Sequence, residues 1–490
     1  MLWVQQGHVS LIGTRLLLLI MAVLFAEQVD TQDLDKERPR VVVTTDGEAD
    51  DRCSMIRFLL SSNEFEVEAI VNNNSQFHWE GGEGWNALHP VDWVKHQIDL
   101  YAEVYPQLAK HDPKYPTPQQ LLQRWKVGNV GAVGEMETRT EGAVFISEIL
   151  LDRSDERPVW LQAWGGCSTI ARALKIIQED HPERMEEVAE RTRLFLIWEQ
   201  DQTYQEYIRP EWERFQIPTI ISDQFDCMAY IWPKVLPEQQ QAYFRSDWMR
   251  PNILENHGPL CSSYEAVNDA FHAEGDTPAF LHCIPNGLRS VQSPDWGGWG
   301  GRYVKVRNNV WLDPAPSQDW KHPTGRWTID NSWSKRLENA QSEEEKRLRS
   351  NYFRPMTRWL DAVQNDFAAR ADWCVKDYAD ANHPPRVVLK DRLQRPVKTG
   401  EIVGLDASRT QDPDGDSLHF RWWLYREAGS YAGEFAWGSA EAISEFSVPA
   451  DALPGQTLHL ICEVRDSGVP ALTRYQRVIL TVGEHDNNEN

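Results

Sequence analysis

The sequence predicts an α/β fold, a mostly parallel sheet with helices on both faces, followed by a small β-sandwich. Three observations point there. Continuous apolar runs alternate with helical spacings from residue 40 to about residue 235, and strands that are apolar throughout belong to sheets covered on both faces. The tetrapeptide Asn382-His383-Pro384-Pro385 is a strong breaker. Beyond it, short apolar or alternating runs lie between Gly, Pro and Asp turns over about a hundred residues, the pattern of a sandwich.

Residues 40–45 (Arg-Val-Val-Val-Thr-Thr) read as a buried strand, 49–60 as the helix after it and 66–71 as a second strand, which makes a βαβ unit. Residues 92–105 and 141–151 have helical spacing, 159–163 is another buried strand, and 168–178 is its helix. Residues 194–198 and 218–221 continue the alternation. On such sheets ligands bind at the carboxyl ends of the strands. From about 252 to 330 the chain is rich in Trp, Gly and Pro, as in 293–303, and is expected to form long loops packed over that active edge. Residues 342–379 return to helical spacing. Sandwich strands are expected at 386–389, 401–405, 418–425, 445–448, 457–464 and 475–482. The division is therefore 1–26, 36–381 and 386–484.

Charge and composition narrow the partners. The chain has 490 residues with 74 Asp+Glu against 50 Lys+Arg, and a formal charge of -24 would repel a phosphate backbone, which excludes nucleic acid. Arg15 followed by the apolar run 16–26 is sized for a secretory signal cleaved near Ala26. No other stretch approaches a bilayer span, so a secreted or periplasmic chain without a membrane anchor after cleavage is expected. Seven scattered Cys leave at least one thiol free in a monomer and allow one or two bridges. The 22 Trp residues serve either as core or as flat apolar platforms for sugar rings. Trp296 and Trp299, in a Gly-rich loop, are candidates for such stacking at the mouth of a site, with loop packing as the competing role.

The most informative segment joins the first strand to its helix. Asp46 precedes the Asp50-Asp51 pair by four and five residues, so three carboxylates converge on the carboxyl end of one strand. Like charge at that density is costly unless a hard cation offsets it, and calcium takes six to eight oxygen ligands. A helix dipole explains Asp50 and Asp51 singly but not Asp46, which ends a strand. A second acidic turn, Asp412-Pro413-Asp414-Gly415-Asp416, could hold calcium, although such a turn forms equally well without an ion and by itself favours that reading.

The segment 42–51, Val-Val-Thr-Thr-Asp-Gly-Glu-Ala-Asp-Asp, resembles the Asp-Pro-Gly-x-Asp-Asp signature of calcium-dependent nucleoside hydrolases. Residues 157–166, Arg-Pro-Val-Trp-Leu-Gln-Ala-Trp-Gly-Gly, together with 382–385 and with 412–416 leading to Arg421-Trp422-Trp423, are similar to a secreted bacterial branch. That branch has nucleoside-hydrolase-like domains linked to cellulose binding and a C-terminal Ig-like module. The resemblance covers residues 38–482. It implies that Asp46, Asp50 and Asp51 bind Ca²⁺, that Asp46 is also the general base, that Trp164 adds a main-chain carbonyl, and that Asp276 is the late carboxylate ligand. It further implies sugar contacts from Asn74 or Asn73 and from Gln200 and Asp201. Gly47 departs from the Pro of true nucleoside hydrolases, and Gly275 stands where several carry a leaving-group His.

Two functional classes stay open: a calcium-dependent hydrolase of N- or O-glycosyl bonds acting on carbohydrate or nucleosides, and a non-catalytic carbohydrate-binding protein on the same scaffold. Oligomeric state stays open as well. The stiff connection at 382–385 predicts a fixed rather than tethered C-terminal module, and the Trp422-Trp423 pair predicts one ring inward and one outward, toward glycan or the first domain.

Overall fold

The computed structural model describes residues 38–483, so the proposed signal segment, 1–26, lies outside the described residues. Strand β1 (Arg40–Thr45) is buried along its whole length, as its uninterrupted apolar run requires. It pairs in parallel with β2 (Glu66–Asn72) on one side and with β4 (Val159–Ala163) on the other. Beyond β2 lies β3 (Trp125–Val127), and beyond β4 lie β5 (Thr192–Ile197) and β6 (Thr219–Ser222), all parallel. The chain thus winds one way through β1, β2 and β3 and the other way through β4, β5 and β6. That reversal opens a crevice beyond the carboxyl end of β1.

The sheet gains a hairpin at its far edge that the Gly- and Trp-rich composition concealed. β7 (Val304–Arg307) pairs antiparallel with β8 (Val310–Leu312), which joins β6 in parallel, giving eight strands among the described residues. Helices follow their strands as the apolar spacing dictates: Ala49–Leu60 after β1, Ser168–Asp180 after β4. The long helical stretch near 342–379 is two helices, Glu343–Thr357, opened by a Ser342/Glu345 capping box, and Leu360–Trp373.

The C-terminal module packs a pair, β10 (Ile402–Asp406) with β13 (Ile443–Ser447), against five strands: β9 (Gln394–Val397), β11 (His419–Leu424), β12 (Gly438–Ser439), β14 (Thr457–Arg465) and β15 (Thr473–Val482). Residues 386–389, expected as a strand, make a single bridge through Arg386 to Gln411. The first strand is instead β9, laid parallel to β15. Trp422 is buried in the module core, whereas Trp423 leans on Trp359 of the first domain with ring centroids 5.9 Å apart. All seven Cys are buried free thiols, so no bridge braces either part.

The two parts share a fixed interface. β15 donates backbone N–H groups from Tyr475 to the Asn286 carbonyl (2.9 Å) and from Arg477 to that of Gly287 (3.1 Å). Gly287 has φ +90°, and any β-carbon there would collide with the Tyr475 carbonyl, so the close approach demands glycine. The buried Arg477 guanidinium donates to the carbonyls of Leu288 (2.7 Å), Trp296 (3.0 Å) and Gly297 (2.8 Å). It also donates to His459 Nδ1 at 3.0 Å, and burial together with the Arg477 and Arg289 charges holds that imidazole down at about 3, hence neutral.

Candidate metal and sugar site

The crevice is built from strand ends. Asp46 directly follows β1, Gly47 turns the chain with φ +76°, and Asp50 and Asp51 open the helix Ala49–Leu60. Proline, fixed near φ -65°, cannot occupy that turn, and a β-carbon at Gly47 would come within 2.7 Å of Trp93 Nε1. The departure from the hydrolase signature is therefore built into the backbone. Asp276 arrives from the far end of the domain, immediately before the short helix Thr277–Leu281.

Asp50, Asp51 and Asp276 each bring a carboxylate oxygen within 4.8 Å of the others. All are buried, as is Asp46. Their pKa values are raised, first by burial and then by neighbouring carboxylates, least so for Asp46. Few donors are present to offset this charge. Thr45 Oγ1 donates to Asp51, the Glu48 amide donates to Asp46 Oδ1 at 3.3 Å, and Tyr230 OH lies 3.3 Å from Asp50 Oδ1. Asp46 Oδ2 and Asp276 Oδ2 are buried with no partner among the described residues. Hard oxygens, like charge and orphaned acceptors together fit a hard cation, so the cluster could hold a metal ion.

The other expected residues divide into cleft and frame. Trp164 and Gln200 line a cavity of about 140 Å³ with Asp50 and Asp51. Gln200 Nε2 donates to the Trp164 carbonyl at 2.7 Å and to that of Ile197 at 3.0 Å, leaving its Oε1 buried and, among the described residues, unpartnered. Asn73, Asn74 and Asp201 instead brace the crevice. Asn73 Nδ2 donates to the Gly166 carbonyl (2.6 Å) and its Oδ1 accepts from Ser168 and Thr169. Asn74 is spent on the Ala132 carbonyl (2.8 Å) and on Ser168 Oγ. Asp201 accepts from Thr203 and from the Ser168 amide at 3.0 Å, at the start of the helix Ser168–Asp180.

Trp296 and Trp299 are not at the mouth of the crevice. Trp299 is 1% exposed and lies under the Arg474 guanidinium, 5.4 Å from its ring. Trp296 packs edge-on against His459 at 5.5 Å. Their Gly-rich loop folds onto the C-terminal module, because that module offers β15 and its arginines as a partner, a fact no local pattern encodes.

Side chains that sequence reasoning missed complete the cleft. A larger cavity of about 480 Å³ adjoins the first and is lined by Glu48, Arg52, His78, Trp85, His89, Tyr230 and His272. Glu48, Trp85 and Tyr230 line both cavities. Tyr230 OH donates to Glu48 Oε1 at 2.8 Å, and His78 Nε2 stands 3.5 Å from Glu48 Oε2. Burial lowers the His78 pKa, but the Glu48 hydrogen bond and the Asp46 and Glu48 charges outweigh it and raise the value. Trp85 is 65% exposed above the opening, and Phe77, Trp198 and Phe225 wall the smaller cavity beside the Asp226–Lys335 pair, 3.1 Å apart. Glu48 sits inside the quoted motif and was within reach of sequence reading. Tyr230 and Lys335 come from distant segments with no signal of their own.

Residues 40–303 match the model of the cellulose-binding Sde182 nucleoside hydrolase-like domain, and residues 402–482 match that of the cellulose-binding Sde0182 C-terminal domain. The chain belongs to this family. Among solved structures, a nucleoside hydrolase-related protein from Saccharophagus degradans that is associated with carbohydrate metabolism is 28% identical, with a TM-score of 0.70 over 91% of this chain and 100% of that one. A plant nucleoside hydrolase is 12% identical over 66% of this chain and 99% of that one, with a TM-score of 0.28. An inosine-guanosine nucleoside hydrolase is 15% identical over 64% and 99%, also at 0.28. Those two scores are too low to add to the fold. No curated protein sequence matches the chain. The family's two matched regions fall on the parallel sheet and on the C-terminal module described above, and the Sde182 region contains the three clustered carboxylates and Asp46.

Proposed function

We propose that this protein is a secreted, calcium-dependent hydrolase of glycosyl bonds, N- or O-linked, acting on carbohydrate or nucleosides outside the cell. One observation carries the reading: beside three carboxylates grouped as cation ligands stands a fourth, Asp46, whose Oδ2 is buried and has no partner among the described residues. Asp50, Asp51 and Asp276, with Asp46 and the Trp164 carbonyl, would hold the ion. When bound, the ion supplies Lewis acidity that acidifies a water and fixes sugar hydroxyls. Asp46 Oδ2 takes the proton of the attacking water as positive charge develops on the ring, and the surrounding carboxylates stabilise that charge. Gln200 Oε1 accepts from a sugar hydroxyl, and Trp85, Trp198 and Phe225 offer flat apolar faces to the ring's C–H groups. The departing group occupies the larger cavity, where His78, His89 and His272 replace the proton donor that Gly275 cannot provide. Among the described residues no helix is long and apolar enough to cross a membrane.

A second reading has its own support. Gly275 removes the usual leaving-group acid, and the family model is named for cellulose binding, which suits a glycan-binding protein that keeps the cluster as scaffold. Incubating the protein with nucleosides, aryl furanosides and cello-oligosaccharides, with calcium and with chelator, decides between them. Calcium-dependent release of sugar or base supports hydrolysis. Saturable binding of glycan with no product from any substrate supports the scaffold reading.

A further inference from the structure

Where the first domain meets the C-terminal module, three acceptor oxygens have no donor among the described residues. Asn382 Oδ1, Asp412 Oδ2 and Asp466 Oδ2 are each buried and unpartnered, and Asn382 and Asp466 as whole residues are only 5% and 1% exposed. Turning the Asn382 amide would not cure this. Its Nδ2 donates to Asp466 Oδ1 at 3.1 Å and to the Pro470 carbonyl at 2.8 Å, so a flip would set oxygen against two acceptors. Asp466 Oδ1 also accepts from the amides of Gly468 (3.1 Å) and Leu472 (2.8 Å). Asp412 Oδ1 accepts from the amides of Asp414 (2.9 Å) and Asp416 (3.0 Å). Each residue spends one polar atom on the fold and leaves the other without a proton to accept.

The residues that carry these oxygens lie on segments bonded to one another. Asn382 holds Asp466 at 3.1 Å, and the amide of the adjacent His383 donates to Asp414 Oδ2 at 2.6 Å. Asp412, Asp414 and Asp416 bring carboxylate oxygens within 4.8 Å of one another. Ser467, beside Asp466, ties the two sides together: its Oγ accepts from the Ser417 amide at 3.1 Å and donates to Asp416 at 3.4 Å. A buried water offers only two protons and leaves the carboxylate charges uncompensated, whereas a hard divalent cation satisfies several oxygens and the charge at once.

We propose that Asn382, Asp412 and Asp466, with Asp414 and Asp416 at the rim, form a second site for a calcium-class divalent cation, separate from the cluster after β1. The set is all oxygen and mixes carboxylate with carboxamide, as calcium prefers over softer metals. Its position gives it a task. Asn382 belongs to the connection between the two parts, and its neighbour His383 donates its amide to Asp414 Oδ2 at 2.6 Å. Ion binding therefore fastens the connection to the acidic turn and to the β14–β15 hairpin, and the acidic turn alone, without Asn382 and Asp466, is not the site.

Calorimetric titration of the chelator-stripped full chain with calcium chloride tests this, using Asp276→Asn to silence the first cluster. That variant should still bind roughly one ion per chain, and adding Asp412→Asn or Asp466→Asn should abolish it. In the otherwise unaltered chain, Asp412→Asn alone should remove roughly one ion from the total and leave the other. Calcium should also slow proteolytic cutting at residues 382–386, and only while Asp412 and Asp466 are intact. The proposal is overturned if Asp276→Asn takes up no calcium, or if binding and protection survive both junction substitutions. Because the readout is binding and cleavage of the connection, it stands apart from whether the protein hydrolyses anything.

Discussion

Asp46 and its neighbours show how residue chemistry is set by burial. Replacing Asp46 with Asn keeps shape and removes the proton acceptor, so turnover should fall by about 100-fold or more with the melting temperature nearly unchanged. Undiminished turnover would move the base elsewhere. Gly275 is held to glycine by the site: a β-carbon there would fall inside van der Waals contact of Asp50 Oδ2 and 3.2 Å from Phe225 Cδ2. Gly275→Ala should therefore weaken calcium binding at the first cluster, measured by titration, more than it lowers folding stability. Asp226 gives a pH signature. Burial pushes its carboxyl from 3.8 up to about 7, against the pull of Lys335. The folded state then keeps a proton that the unfolded chain releases, so this contribution is fully present below about 3.8 and is lost as pH rises through about 7. Between pH 5 and 8 the melting temperature of the native chain should fall relative to that of Asp226→Asn, and parallel curves would refute the assignment.

At the level of elements, the Gly- and Trp-rich stretch is a clamp between the sheet and the C-terminal module. Gly300 is pressed on the backbone of Pro278 and His282, which leaves no room for a side chain, and Trp299 fills the space beside Arg474. Trp299→Ala should cost about 3–5 kcal/mol of stability, as truncating a fully buried large aromatic does, while substrate or glycan affinity stays the same. A loss of affinity at unchanged stability would return this loop to the binding site. Trp85 has the opposite expectation: being mostly exposed, it should be dispensable for folding, and its loss should reduce affinity.

Across the whole molecule, the module is a structural partner. Trp359 contacts Trp423, Tyr425 and Tyr475 of the module with ring centroids 5.3–6.0 Å apart. Arg474 reaches Asp366 of the first domain at 2.9 Å, and Asp366 also holds the buried Arg370 at 2.6 Å. Deleting residues 386–483 would uncover these rings and strip Asp366 of one of its two arginines. The truncated first domain should melt well below the full chain, and the isolated module should bind insoluble cellulose weakly or not at all. Strong binding by the module together with a fully stable truncated domain would reverse this picture.

The strands 40–45 and 159–163, the helices 49–60 and 141–151, and the approach of Asp46 to Asp50 and Asp51 were all legible in sequence, because they rest on local periodicity and on spacings of a few residues. Asp276 needed the family resemblance, since the chain crosses more than two hundred residues before returning to the cluster. The tertiary structure alone decided what meets across such separations. It placed Asn73, Asn74 and Asp201 in the frame, brought Tyr230, His78 and Lys335 to the cleft, and turned Trp296 and Trp299 toward β15. It also joined Asn382 and Asp466 to the acidic turn at 412–416, a convergence invisible along the chain. Periodicity records which face of an element is buried, not which partner buries it, and these assignments depend on the partner.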